Sequence, residues 1–195
     1  SDFLPNTSML QNSTTDSHLN AIATALRTLH QIPCSDEIQA LGEFDMLSFC
    51  EKYVESSGQW GLEQHQIIKP KIEGFQQQPN KVFCHNDLVA ANIFTFGHQT
   101  QFIDWEYAQL NNRHFDLGAV VFYLALSTEQ THHFLTEYFE RSPNSNDLEQ
   151  LNLGTAVLLW GDVLWHLHTF GQSIQPQLTH KIRWLLDHAY INQRP

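Results

Sequence analysis

The chain has 195 residues, the length of one domain or two small ones, and its 42% hydrophobic content supplies a core that excludes a disordered or low-complexity protein. Acids outnumber bases 21 to 10, a formal charge of −11, which argues against a nucleic-acid backbone or an anionic membrane as the main partner because both need a basic surface. Cys34, Cys50 and Cys84 are odd in number and make no C-x-x-C pair, so they are expected as buried thiols in a reducing, cytoplasmic setting. No apolar run reaches the ~20 residues of a membrane span.

Ser1-Asp2-Phe3-Leu4-Pro5 reads as the middle of a longer polypeptide, and the Ser/Thr/Asn-rich stretch behind it as a loop, so 1–15 is expected as a hinge or linker. Asp16 or Ser17 can cap a first helix, whose apolar Leu19, Ile22, Ala23, Leu26 and Leu29 keep helical spacing until Pro33. A second helix is expected over 45–56 and a weaker third over 62–77, disturbed at Pro70. Lys81-Val82-Phe83-Cys84 is a short apolar run. The runs at 93–96 and 101–103 flank Gly97-His98 and read as a hairpin. Helical patterning returns over 115–127, 131–140, 147–169 and 177–192. The expected fold class is therefore α+β and mainly helical, with a small β-element near its centre.

His85-Asn86-Asp87-Leu88 with Asn92 fits H-x-D-L-x-x-x-N, a catalytic-loop pattern of kinases. On a loop leaving a strand, the Asp87 carboxylate can accept a hydroxyl proton and orient that oxygen toward a γ-phosphate. Asn92, five residues on, can return an amide oxygen to Mg²⁺. A further carboxylate must hold the metal, and Asp104 lies at the far end of the hairpin for that purpose. Oxygen ligands of this kind suit Mg²⁺ rather than zinc. The alternative for Asp87 and Asn92 is a pair of turn caps. The twelve histidines give no i, i+4 zinc pair in His132-His133 or in His166 and His168.

Val82 to Leu88, Ile103-Asp104-Trp105-Glu106-Tyr107-Ala108, Asn111, Arg113 and Phe115-Asp116-Leu117-Gly118 together resemble the choline/ethanolamine kinase family, within the aminoglycoside-phosphotransferase-like kinases. Leu26-Arg27-Thr28-Leu29-His30 resembles the L-x-x-L-H helix end found there, and Phe3-Leu4-Pro5 its interlobe hinge. The resemblance implies the C-terminal lobe of a protein-kinase-like fold, with a catalytic loop at 85–92 and a metal-binding segment at 102–107 in a helical lobe over 16–195. It implies Asp87 as base, Asn92 and Asp104 as Mg²⁺ ligands, His85 as a brace and Asp116 as a structural residue. ATP would be co-substrate.

The acceptor would be an alcohol, most simply a cationic one such as choline. Tyr107 would line its pocket, Glu106 could add a charge, and Trp160, in Trp160-Gly161, would join an aromatic cage built on cation–π attraction. Two departures are visible. Tyr123 stands where eukaryotic choline kinases carry an acid, and Trp165 lies five residues after Trp160 rather than three. Thiamine or aminoglycoside kinases share the same machinery, and a ligand-binding pseudokinase is the non-enzymatic rival. Trp160, Trp165 and Phe170 read equally as plain core. No G-x-G loop or phosphate-binding lysine strand is present, so those parts are expected on an N-terminal lobe outside this chain.

Overall fold

The computed structural model describes residues 14–96, 99–171, 176–188 and 190. The expected hinge at 1–5 and the Gly97-His98 turn lie outside them. The described residues form two compact units, one from those within 14–44 and 80–151, the other from those within 45–79 and 152–190.

In the first unit, helix α1 (Asp16–His30) starts at Thr15, whose side chain caps the His18 N–H in a capping box, one residue before the expected cap. Its stripe of Leu19, Ile22, Ala23 and Leu26 is fully buried. That face packs against α6 (Thr128–Phe139), which contributes Phe134 and Leu135. Removing four such side chains from water stabilises the unit by roughly 1.5–3 kcal/mol for each large one. A short helix α2 (Asp36–Ala40), not foreseen from the sequence, follows Ser35.

The β-elements are two separate antiparallel pairs. Strand β1 (Val82–Cys84) pairs with β4 (Gln109–Asn111) in the register Val82↔Asn111 and Cys84↔Gln109. Strands β2 (Ile93–Phe96) and β3 (Gln99–Phe102) pair antiparallel as expected, with Ile93 opposite Phe102, although β3 begins two residues before the expected run at 101–103 and ends before Ile103. Residues 42–44 add to β4, where the Phe44 N–H donates to Leu110 O at 2.9 Å and the Leu110 N–H to Gly42 O at 3.1 Å. Helix α5 (Arg113–Tyr123) opens at Asn112, whose Oδ1 accepts the His114 N–H at 3.0 Å. Its buried face, Phe115 to Val120, packs on β1.

In the second unit, α3 (Met46–Val54) is capped by Asp45, which accepts the Ser48 N–H at 3.0 Å. Helix α4 (Gly58–Gln76) runs through Pro70 without a break. Proline deletes one helical N–H, but the buried positions Gly61, Gln64, His65, Ile68, Ile72 and Phe75 keep one inward stripe through it. The C-terminal part of α7 (Ser145–Phe170) is buried nearly all round between Ala156 and Leu164, as its apolar composition requires. Helix α8 (Pro176–Asp187) completes the unit, and Lys181 pairs with Asp162 on α7.

One expectation is corrected: Cys50 and Cys84 are buried thiols, but Cys34 is exposed, because it lies in the irregular stretch between α1 and α2. Among the described residues, no helix is long and apolar enough to cross a membrane.

Candidate active site

Strand β1 ends at Cys84 and hands the chain to His85, the start of the motif. Two consecutive backbone N–H groups are then fixed by one carboxylate. Asp116, fully buried in the first turn of α5, accepts the His85 N–H on Oδ2 and the Asn86 N–H on Oδ1, both at 2.8 Å. His30, at the end of α1, lies 3.1 Å from the same Oδ2 through Nε2. Its Nδ1 is 2.7 Å from the Tyr138 hydroxyl. A carboxylate can only accept, so His30 donates from Nε2 and its Nδ1 accepts the tyrosine proton. Burial raises the Tyr138 hydroxyl well above its usual range, so that proton stays in place.

His85 is fully buried, and its orientation follows from its partners. Nε2 lies 2.9 Å from Ile103 O, a pure acceptor, so Nε2 carries the proton. Nδ1 is left to accept the Asp87 N–H at 3.3 Å. One ring thus braces both Asp87 and the residue before Asp104. Asn86 takes φ +65°, a left-handed conformation that asparagine tolerates.

Asp87 and Asn92 are brought together. Asn92, in the 3-10 turn at Ala90–Asn92, donates Nδ2 to Asp87 O at 2.8 Å and to Asp87 Oδ2 at 3.1 Å. Those bonds use the amide nitrogen and fix which way the side chain faces, leaving Oδ1 as the atom that could hold a cation. The Ile103 N–H donates to Asn92 O at 3.1 Å, so the residue beside Asp104 is bonded directly to Asn92. Asp104 itself is exposed at φ +66°. A non-glycine residue there costs roughly 1–3 kcal/mol, a strain that clusters at functional sites. An amide oxygen and a carboxylate are the hard donors Mg²⁺ prefers, so this pair fits that ion in kind.

The other expected residues fall in different places. Glu106 is exposed, and Tyr107 is 38% exposed with its ring edge-on to Phe44 at 6.3 Å between centroids. Tyr123 ends α5, half-buried and edge-on to Phe122. Trp160 belongs to the second unit, fully buried, with its indole N–H donating to His65 Nδ1 at 3.0 Å. Of its two sequence readings, this is the packed-core arrangement. Trp165, also in that unit, is 38% exposed and edge-on to Phe170.

Several residues at this site escaped the sequence reading: Asn86, Asn111 and Tyr138 as hydrogen-bond partners, and Trp105. The Trp105 ring lies 4.6 Å from the His85 ring and is parallel to Phe83 at 6.3 Å. A positive-φ-tolerant asparagine inside the motif was the one available signal. Among the described residues, His30, Cys84 and Asp116 are also the one group of three or more His, Cys, Asp or Glu side chains whose ligand atoms lie close enough to share a metal ion. Burial and the Asp116 charge raise the Cys84 thiol well above its usual range, which opposes the thiolate a metal requires.

A model of the phosphotransferase enzyme family matches residues 2–153. The chain is 32% identical over 113 residues to a probable ethanolamine kinase A of Dictyostelium discoideum, covering 50% of this chain and 32% of that protein. It is 40% identical over 90 residues to protein LicA of Haemophilus influenzae, covering 44% of this chain and 33% of the relative. The chain thus spans about a third of the length of these curated relatives. Among solved structures, choline kinase LicA from Streptococcus pneumoniae superposes with a TM-score of 0.72 at 18% identity, covering 95% of this chain and 69% of that one. At that identity the likeness shows the fold: a mainly helical, protein-kinase-like lobe with small antiparallel β-elements.

Proposed function

The chain belongs to the phosphotransferase enzyme family, and on that premise we propose that it carries the acceptor side of an ATP- and Mg²⁺-dependent small-molecule kinase acting on a cationic amino-alcohol of the choline or ethanolamine type. The observation that carries this reading is the double donation from Asn92 to Asp87, 2.8 and 3.1 Å, which bonds the residue proposed as base to one proposed as metal ligand.

In this reading the Asp87 carboxylate orients the acceptor hydroxyl and takes its proton as the oxygen attacks the γ-phosphorus, while the bond from that phosphorus to the β,γ-bridging oxygen breaks and ADP leaves. Asn92 Oδ1 and the Asp104 carboxylate would hold Mg²⁺, which supplies neutralisation of charge on the ATP phosphates. His85 keeps both ends of that arrangement in register through Ile103 O and the Asp87 N–H. Tyr107 and Glu106 supply the aromatic face and negative charge that suit an alkylammonium, which cannot be held by donors alone. The −11 charge of the chain favours a cationic acceptor over an anionic one. The nucleotide's remaining contacts would come from an N-terminal lobe, and the enzyme would act where ATP is abundant, in the cytoplasm.

The test is ADP release by the full-length protein with Mg·ATP and choline, ethanolamine, thiamine or an aminoglycoside, alongside Asp87→Asn. Turnover of one amino-alcohol, with kcat lowered roughly 10²–10⁴-fold in the variant, supports the reading. Turnover that survives Asp87→Asn removes the assigned base, and silence on every acceptor removes the activity.

A further inference from the structure

We propose that Asn86 is a positioning residue that sets the acceptor-binding segment around Tyr107 relative to Asp87, separately from the anchors of the metal side; this rests on the functional reading above.

Asn86 is 5% exposed, and both amide protons and the amide oxygen are engaged in hydrogen bonds. Nδ2 has two protons and two carbonyl partners, Tyr107 O at 2.9 Å and Gln109 O at 3.3 Å. Oδ1 accepts Asn111 Nδ2 at 2.8 Å, which fixes the amide orientation. Asn111 is held in turn, because its Oδ1 accepts the Asn112 N–H at 2.7 Å. The Asn86 backbone is itself pinned by Asp116 at 2.8 Å. One side chain therefore grips the carbonyls on either side of Ala108, in the exposed stretch that carries Glu106 and Tyr107. Its neighbour in the chain is the proposed base.

The metal side is tied by other atoms. His85 Nε2 donates to Ile103 O at 2.9 Å, and the Ile103 N–H donates to Asn92 O at 3.1 Å. Loss of the Asn86 amide leaves both of these bonds in place. The two anchors should therefore separate in kinetics, acceptor KM following Asn86 and the MgATP and kcat terms following His85 and Asn92.

Two variants of the full-length protein test this with amino-alcohol as the varied substrate. Asn86→Gly keeps the φ +65° backbone and removes the amide. Asn111→Asp leaves the loop backbone alone but replaces a donor with an acceptor facing Asn86 Oδ1. Turning the Asn86 amide over would then point its oxygen at the Tyr107 and Gln109 carbonyls. Both variants should raise acceptor KM roughly tenfold, the scale of one or two lost hydrogen bonds, with kcat and the KM for MgATP within about twofold. An active wild type whose acceptor KM is unchanged in both variants overturns this inference alone, as does an equal fall in kcat and in affinity for both substrates. A wild type inactive on every amino-alcohol overturns the functional reading and this inference with it.

Discussion

Asp116 Oδ2 accepts the main-chain N–H of His85 at 2.8 Å, so a fully buried carboxylate 31 residues downstream holds the first peptide of the 85–92 loop. The same group takes the Asn86 N–H and the His30 imidazole. Asp116→Ala would strand two buried main-chain donors and a histidine N–H in one step. The expected loss is roughly 3–5 kcal/mol, with a smaller loss for Asp116→Asn, which keeps one acceptor oxygen. Urea unfolding measures both. An alanine variant within 1 kcal/mol of the wild type, in a host-scale sense, would mean that water replaces the carboxylate.

Acid should weaken the fold before its carboxylates titrate. His114 donates Nδ1–H to Asn112 Oδ1 at 2.9 Å, while its buried Nε2 meets no partner. Burial, with help from the Arg113 charge, pushes its pKa down to about 4. The unfolded chain therefore binds a proton that the folded chain refuses between about pH 6.5 and 4. Stability from this residue is complete above the unfolded value and drains as pH falls, by roughly 2 kcal/mol between pH 7.5 and 5. His65, also lowered by burial, acts in the same direction. Asp147, lowered by its Arg141 partner, weakens the fold only at still lower pH. His114→Phe, which retains an aromatic ring beside Phe139, should flatten the slope of urea midpoint against pH; an unchanged slope would assign the effect elsewhere.

Gly161 occupies a helix position where a methyl group would require the terminal methyl of Met46 to move. A Cβ there would run into the Met46 side chain in the second unit. Overpacking costs roughly 1–3 kcal/mol, whereas alanine gains about 1 kcal/mol over glycine in helix propensity. Gly161→Ala should therefore be destabilising by about 1 kcal/mol, and Met46→Leu in the same chain should recover part of it through a shorter side chain. Additive single and double variants in thermal unfolding would show that Met46 simply swings aside.

Elements with strong local signals were legible in the sequence. The α1 stripe, the two short runs that pair as β2 and β3 and the Asp87–Asn92 spacing all carry their pattern within a dozen residues. Strand β4 does not, because Gln109-Leu110-Asn111 has no alternation of its own and becomes a strand only through the edges that β1 and residues 42–44 offer it. Pro70 misled for the opposite reason: a local breaker was outweighed by the buried stripe from Gly61 to Phe75. The site shows the same division. Asp87 and Asn92 are five residues apart, whereas the Tyr138 hydroxyl meets His30 across 108 positions. No local rule reaches that far.

The placement of the three cysteines makes the molecule its own unfolding probe. Cys34 is exposed, while Cys50 and Cys84 are buried and their thiols are pushed far from ionisation. A maleimide reagent should thus add one mass increment to the folded chain and three to the unfolded one. Cys50 belongs to the second unit and Cys84 to the first, where it adjoins His85. Mapping the modified peptides, to see which of the two cysteines carries the second increment, would time the opening of each unit.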